Sequence, residues 1–271
     1  MKRIPSHRNP AASGSHNEET SWQNVSEWYS KAVGIEGHYY HQHIILPLSL
    51  RLLDLHDGDS LLDLACGQGV LARHIPANIH YEGIDSAPDL IEQAKRLDKN
   101  KKHSYHTGDV SRKLAIQKTD FTHASIILAL QNISDPLGVI RNARNHLSPQ
   151  GTLLIVLNHP SFRIPRQTSW GIDEQNKSQY RKVNLYLTPL KIPIAAHPGK
   201  GTQSQVTWSY HFPLSHYSRL LSENGFVIEK LEEWASDKQS TGSAAKMENR
   251  ARNEFPLFLA ILARNSVAIS E

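Results

Sequence analysis

Residues 61–69 read Leu-Leu-Asp-Leu-Ala-Cys-Gly-Gln-Gly, and the fold turns on how they are understood. An apolar run from Ser60 to Leu64 breaks into Ala65-Cys66-Gly67-Gln68-Gly69 and then into an amphipathic stretch from Val70 to Ile75. That succession predicts a buried strand, a tight loop and a helix. Glycines at 67 and 69 let a ligand approach the backbone, and the following helix start offers N–H groups with no intrahelical partner. Cys66 is the only cysteine in the chain, and its place in a tight loop reads as a small packed residue rather than a nucleophile. A single cysteine excludes an internal disulfide framework and fits a reducing, cytoplasmic setting.

Outward from this loop the pattern repeats. Ile79 to Ile84 predicts a second strand and Pro88 to Leu97 a helix, with Ser86 as N-cap and Pro88 in its first turn. His103 to His106 forms a short third strand and Phe121 to Leu130 a fourth. Pro136 to Leu147 is a helix, Ser148 to Gly151 a turn, and Thr152 to Leu157 a fifth strand. Apolar strands alternating with ten-residue helices predict an α/β fold, a doubly wound Rossmann-like parallel sheet covered on both faces. Ser215 to Glu223 continues as a helix, and Phe226 to Glu232 with Phe255 to Leu262 predict an antiparallel pair at one sheet edge.

The chain divides accordingly into a polar, mobile tail (1–20), an N-terminal helical cap (21–55), the nucleotide-binding core (56–158), an insertion acting as a lid (159–210) and the rest of the core (211–265). The insertion holds five prolines and is too long for a plain connection. Between Ser161 and Tyr210 seven basic residues face two acidic ones, whereas the whole chain carries only +4. So local an excess suits an acidic group on a partner or substrate, or a solvated face, better than a nucleic-acid coat. No apolar run approaches the roughly 18–20 residues of a membrane span, and the N-terminus lacks the apolar region of a secretory signal.

Gly67-x-Gly69-x-x-Ala72 satisfies the dinucleotide fingerprint, and Asp85 lies near the expected ribose-binding acid, so an NAD-binding reading stands open. Asp63 favours another ligand. A carboxylate beside the loop repels a pyrophosphate but suits the amino group and sulfonium of S-adenosylmethionine (SAM). Asp85 can accept both ribose hydroxyl hydrogens, and Asp109, after the third strand, can accept from the adenine amino group.

These motifs resemble those of class I SAM-dependent methyltransferases. LLDLACGQG is similar to their first motif, with Ala65 where glycine is commonest, and GIDSAPDLIEQAK to their second. The stretch from Ile127 to Leu157 resembles their fourth strand, following helix and fifth strand. Within it LQNISD is similar to the LRNVxD of ubiquinone and menaquinone C-methylases, with Gln131 in place of the Arg. YYHQHIILP near residue 39 and the stretch from Asn158 resemble a bacterial subgroup of these enzymes. The resemblance implies a seven-stranded sheet of order 3-2-1-4-5-7-6 with strand 7 antiparallel. It also implies SAM as cofactor, with Asp63, Ala65, Cys66, Gly67, Gly69, Asp85, Ser86, Asp109, Val110 and Leu130 as candidate binding residues.

Methyl transfer asks the protein to align the acceptor, exclude water and, for some acceptors, remove a proton. An acceptor above the strand ends points to Tyr39, Tyr40, Gln131, Asn158, Arg163, Arg166 and Trp170 as substrate-binding candidates. His159 and His43 are the candidate general bases. Arg163 and Arg166 lie on a proline-stiffened loop and can clamp a carboxylate or phosphate. No carboxylate or cysteine completes a metal set around His41 and His43. Three readings follow in order: a methyltransferase of a small molecule, one acting on protein or RNA, and a non-catalytic or NAD-linked binder. Oligomeric state is not read from the sequence.

Overall fold

A computed structural model describes residues 22–195 and 204–266. The tail read at 1–20, and Lys200 of the basic segment, lie outside the described residues. Five segments form the parallel part of one sheet: β1 (Ser60–Leu64), β2 (His80–Asp85), β3 (His103–Thr107), β4 (Phe121–Ile127) and β5 (Leu147–Asn158). Two late segments, β10 (Phe226–Trp234) and β11 (Phe258–Asn265), complete it. The order is β10-β11-β5-β4-β1-β2-β3. β11 runs antiparallel to both β5 and β10, and the other adjacent pairs are parallel. The expected seven-stranded order and its single reversed strand are therefore present.

Strand alternation builds the two cores. In β1, Leu62 and Leu64 enter one cluster with Ile126, Val139, Ile140 and Leu221, beneath α4 (Pro136–His146) and α5 (Leu214–Glu223). Leu61 points the other way, into a cluster with Ile45, Leu53, Ile91 and Tyr81 beneath α2 (Leu46–Leu53) and α3 (Pro88–Leu97). Every residue of β1 is buried, as a strand covered on both faces requires. Sequence order reverses between β1 and β4, which opens a crevice above their carboxyl ends.

Several local expectations need correction. The helix read at 70–75 is only a 3-10 turn, Leu71–His74, and Ile75 is already extended (φ −81, ψ 160). Pro76 explains the stop, because a residue before proline is pushed out of the helical region. Ser86 does not cap α3. Ala87 holds the N-cap position without a side-chain bond, and its N–H donates to Asp85 Oδ1 at 2.9 Å. β4 ends at Ile127, where Leu128 turns left-handed (φ 54) before a 3-10 turn over Leu130–Asn132. The Ser148–Gly151 turn exists as a loop-out inside β5, whose pairing with β4 jumps from Phe121↔Leu147 to His123↔Thr152.

The cap contains α1 (Ser26–Val33), a π turn over His41–Ile45 and α2. The insertion folds as two hairpins, β6 (Thr168–Asp173) with β7 (Ser178–Val183) and β8 (Leu190–Ala195) with β9 (Val206–His211). A further helix, α6 (Ala245–Glu254), precedes β11. Only Ala251 of it is buried, so it carries no apolar stripe a sequence reading would catch. Among the described residues no helix is long and apolar enough to cross a membrane.

Candidate active site

A cavity of about 730 Å³ occupies the crevice. Its floor is the ends of four successive strands: Ala65 and Gly67 after β1, Asp85 and Ser86 after β2, Gly108 to Arg112 after β3, and Ile127 to Ala129 with Asn132 to Ser134 after β4. Trp22 and Tyr29 close it from the cap, and Trp208 and Tyr210 of β9 form its roof.

The loop after β1 is held from below. Cys66 N–H donates to the Ile84 carbonyl and Gly69 N–H to the Cys66 carbonyl, at 2.9 and 3.0 Å. Ala65, Gly67 and Gly69 all take positive φ, at 60, 56 and 71°. The two glycines serve different ends. A Cβ at Gly69 would lie 2.8 Å from Tyr105 Oη and 3.2 Å from Ala94 Cβ, so this glycine lets the loop pack on β3 and α3. A Cβ at Gly67 would meet only the Tyr29 ring, at 3.6 Å and beyond, on the cavity side. Its absence keeps that floor open.

Asp85 is the site's central acid. Its Oδ2 accepts from Gly67 N–H at 2.9 Å and its Oδ1 from Ala87 N–H at 2.9 Å, so one carboxylate fixes two loop ends. Each oxygen retains a lone pair for a ligand hydroxyl. Burial pushes its pKa up against the pull of those N–H groups. Asp109 lines the cavity as well, while its Oδ1 accepts from Ser111 N–H and Oγ–H at 2.9 and 2.7 Å and its Oδ2 pairs with Arg112. The Cys66 thiol is pushed well up by burial, then by the charges of Asp63 and Asp85, which leaves it protonated and inert.

Asp63 does not line the cavity. It lies one layer beneath, where Tyr81 Oη–H and Ser125 Oγ–H each donate to it at 2.8 Å. Burial raises its pKa to about 6, and the nearby charge of Asp85 adds to the rise against those two hydroxyls. Folded, Asp63 therefore holds its proton more tightly than the unfolded chain does. Stability is expected to fall by on the order of 3 kcal/mol as pH rises from about 4 to about 6, and Asp63→Asn should flatten that slope. Denaturant unfolding of both proteins across this range checks it; parallel slopes would refute it.

The loop over residues 108–112 has its own brace. Asn142 of α4 is buried, and its Nδ2 donates to the Val110 and Arg112 carbonyls at 2.7 and 2.5 Å. Asp135 caps α4 by accepting from Gly138 N–H at 3.0 Å. A Cβ at Gly138 would lie 2.2 Å from the Ser111 carbonyl oxygen, so α4 can approach this loop only with glycine there.

The acceptor candidates, and Leu130 of the cofactor candidates, fall outside this cavity. Leu130 is buried in the core, and Gln131 turns inward, its Nε2 donating to the Leu128 carbonyl at 2.8 Å. Asn158 pairs with Phe258 in the sheet. Tyr39 and His43 stack at 4.1 Å and both bond Asp237 Oδ2, at 3.1 and 3.0 Å. Tyr40 Oη contacts Ser236 Oγ at 3.3 Å. His159 is buried between Ser161 N–H, which donates to its Nδ1 at 3.1 Å, and Glu233, 2.7 Å from its Nε2. Arg163 lies over the Phe258 ring at 5.3 Å, while Arg166 is exposed with φ 61. Trp170 packs edge-on to Phe255 at 5.2 Å beneath Arg181. Of the predicted residues, then, the cavity gathers Ala65, Gly67, Asp85, Ser86, Asp109 and Val110. The tyrosines, histidines and Arg163 instead ring the strand ends on the β5–β11–β10 side. Among the described residues no three His, Cys, Asp or Glu side chains are grouped to hold a metal ion.

The sequence reading missed Tyr29, Trp208, Tyr210 and Asn142. The roof had a signal: in Val206–His211, Thr207, Ser209 and His211 are buried, so Trp208 and Tyr210 alternate onto the opposite face.

An open sheet in this order, reversed at one strand only and carrying an acid-pinned glycine loop at its switch point, is the architecture of the class I SAM-dependent methyltransferases. The family profile described as "Methyltransferase domain" matches residues 37–231, and the chain belongs to that family. Its cofactor is S-adenosyl-L-methionine, which sets aside the NAD reading of the glycine loop. A ubiquinone biosynthesis O-methyltransferase of Xanthomonas campestris is 25% identical over 153 residues, 54% of this chain and 64% of that protein. An uncharacterized 37.1 kDa protein in a transposon of Streptomyces fradiae is 29% identical over 130 residues, 43% of this chain and 37% of that protein. The chain thus spans less than two thirds of each of these relatives. The crystal structure of a SAM-dependent methyltransferase from Mesorhizobium loti shares the fold, with TM-score 0.63 and 23% identity over 85% of this chain and all of that one.

Proposed function

We propose that this protein methylates a small molecule, one that carries an acidic group, in a cytoplasmic setting. The observation that carries this reading is the aromatic roof. Trp208 and Tyr210 line the cofactor cavity opposite the strand ends, so an acceptor approaches the cofactor past two aromatic rings. A protein or RNA acceptor calls for an open approach that this roof opposes.

The residues present fit SAM. Asp85 offers lone pairs to the ribose hydroxyls, Gly67 leaves room at the loop, and Leu90, Val110 and Ile133 give an apolar wall for the adenine. Asp63 and Asp85 together bias the site toward a cationic ligand. When bound, SAM supplies an electrophilic methyl carbon and a leaving group already in place. The protein's part is to orient the acceptor, keep water out and accept a proton where the acceptor loses one. His159, with both ring nitrogens engaged, braces β5 against β10. His43, held at one nitrogen by Asp237, keeps the arrangement of a base for an oxygen acceptor.

Thermal unfolding with SAM, S-adenosylhomocysteine and NAD(H) in parallel tests the cofactor half. At about 100 times its Kd a true ligand adds about 2.7 kcal/mol. Transfer of labelled methyl from SAM into small carboxylated acceptors, against protein and RNA fractions, tests the rest. Label appearing only in a macromolecule would overturn the small-acceptor reading.

A further inference from the structure

The strand ends beside the cavity carry two cations, Arg163 and Lys238, that form no ion pair among the described residues. Arg163 lies 5.3 Å from the Phe258 ring, and Tyr40 packs edge-on to that same ring at 5.7 Å. Lys238 Nζ sits 4.9 Å from the Tyr40 ring and 4.5 Å from Tyr39, so the two cations flank one aromatic pair. Among the described residues neither cationic head makes an ion pair or a hydrogen bond. The nearby acids are committed elsewhere: Asp237 to Tyr39 and His43, Glu233 to His159, Glu232 to Arg51 and Trp234.

His38 stands edge-on to the same Tyr40 ring, 6.2 Å between centroids, and is the third donor. His38 Nδ1 accepts the Tyr40 N–H at 3.1 Å, which places the proton of the neutral ring on Nε2. The charges of Arg163 and Lys238 both reach this ring and, with burial first, hold its pKa down. Arg163 is itself partly withdrawn from water, and burial of an unpaired guanidinium is costly. Such a charge is compensated when a ligand brings the opposite one.

The geometry points to an oxyanion subsite formed by Arg163, Lys238 and His38, which holds a carboxylate or phosphate carried by the methyl acceptor. The proposal rests on the small-acceptor reading and deepens it. The chain that bears His38 is tied to the cofactor loop, because Gln68 Nε2 donates to the Gly34 carbonyl and Arg73 to the Ile35 carbonyl, at 2.5 Å each. β5, β11 and β10 lie one, two and three places beyond β4 in the sheet, so a subsite built on the segments that follow β5 and β10 stands to one side of the cavity. Arg supplies a planar fork, Lys a point charge and His a neutral N–H, a set that favours an oxygen anion over its neutral analogue.

The test uses the full chain with and without saturating S-adenosylhomocysteine, reading thermal stability. Inorganic phosphate is compared with chloride at equal ionic strength, and benzoate with its neutral analogue benzamide. Stabilisation by phosphate or by benzoate above its control is expected, and which of the two acts separates a phosphate from a carboxylate acceptor. Arg163→Gln and Lys238→Gln should each weaken that anion about tenfold or more, with the shift from S-adenosylhomocysteine unchanged. Lys238 is exposed, so its variant folds as the parent does even if the Arg163 variant does not; Arg163→Lys, which keeps charge but loses the fork, should fall between. Equal anion stabilisation in the Lys238 variant, or none above the controls in the parent, would overturn the subsite. A missing S-adenosylhomocysteine shift would count against the cofactor assignment instead, and is read independently.

Discussion

Asp85→Ala is expected to abolish the response to S-adenosylhomocysteine. Two effects combine. The variant loses the carboxylate lone pairs offered to the ribose hydroxyls, and charge-assisted hydrogen bonds of this kind contribute about 1.5–3 kcal/mol each. It also frees the Gly67 and Ala87 N–H groups that the carboxylate holds at 2.9 Å, so the loop and the start of α3 lose their common anchor. A fall in affinity of at least about a hundredfold follows. At a ligand concentration of about 100 times the parent Kd, stabilisation should shrink from about 2.7 to about 0.4 kcal/mol. Calorimetric unfolding at that fixed concentration reads the difference. Should the alanine variant keep the full shift, Asp85 would be a loop anchor alone and the ribose would bind elsewhere.

The second large effect is expected at a residue that touches no ligand. Asn142→Leu keeps the volume but removes both donors to the Val110 and Arg112 carbonyls. The Val110 carbonyl is left buried without a partner whereas water can reach that of Arg112, so a loss of about 1–3 kcal/mol is expected. The distinguishing readout is local. Amide exchange across residues 108–112 should accelerate more than in β1 or β5, and S-adenosylhomocysteine should bind more weakly, because this loop is a wall of its cavity. Uniform acceleration across the sheet would mean that Asn142 serves global stability only.

The sheet was legible because its information is local. Leu61, Leu62 and Leu64 mark the first strand, Gly67 and Gly69 break it, and Pro88 and Pro136 open helices where they were expected. The 3-10 turn at 71–74 was less legible, since the apolar spacing of Val70 to Ile75 suits a helix while Pro76 forbids its continuation. Asn142 was not legible at all. Its role depends on α4 lying over a loop thirty residues earlier in the chain, a contact that no periodicity encodes and that only the missing side chain of Gly138 permits. The acceptor candidates were legible as a group by their position after β5 and in the cap. Their grouping away from the cavity was not, because it follows from where β10 and β11 dock beside β5.

The roof and the floor come from separate stretches of chain. Every strand-end residue that floors the cavity lies between Ala65 and Ser134, whereas Trp208 and Tyr210 belong to one hairpin inserted between β5 and α5. Among the described residues β8 and β9 pair only with each other and not with the main sheet. Such a division lets the sequence of the roof drift while the strand ends beneath it keep theirs, since the two are written in different stretches of the chain.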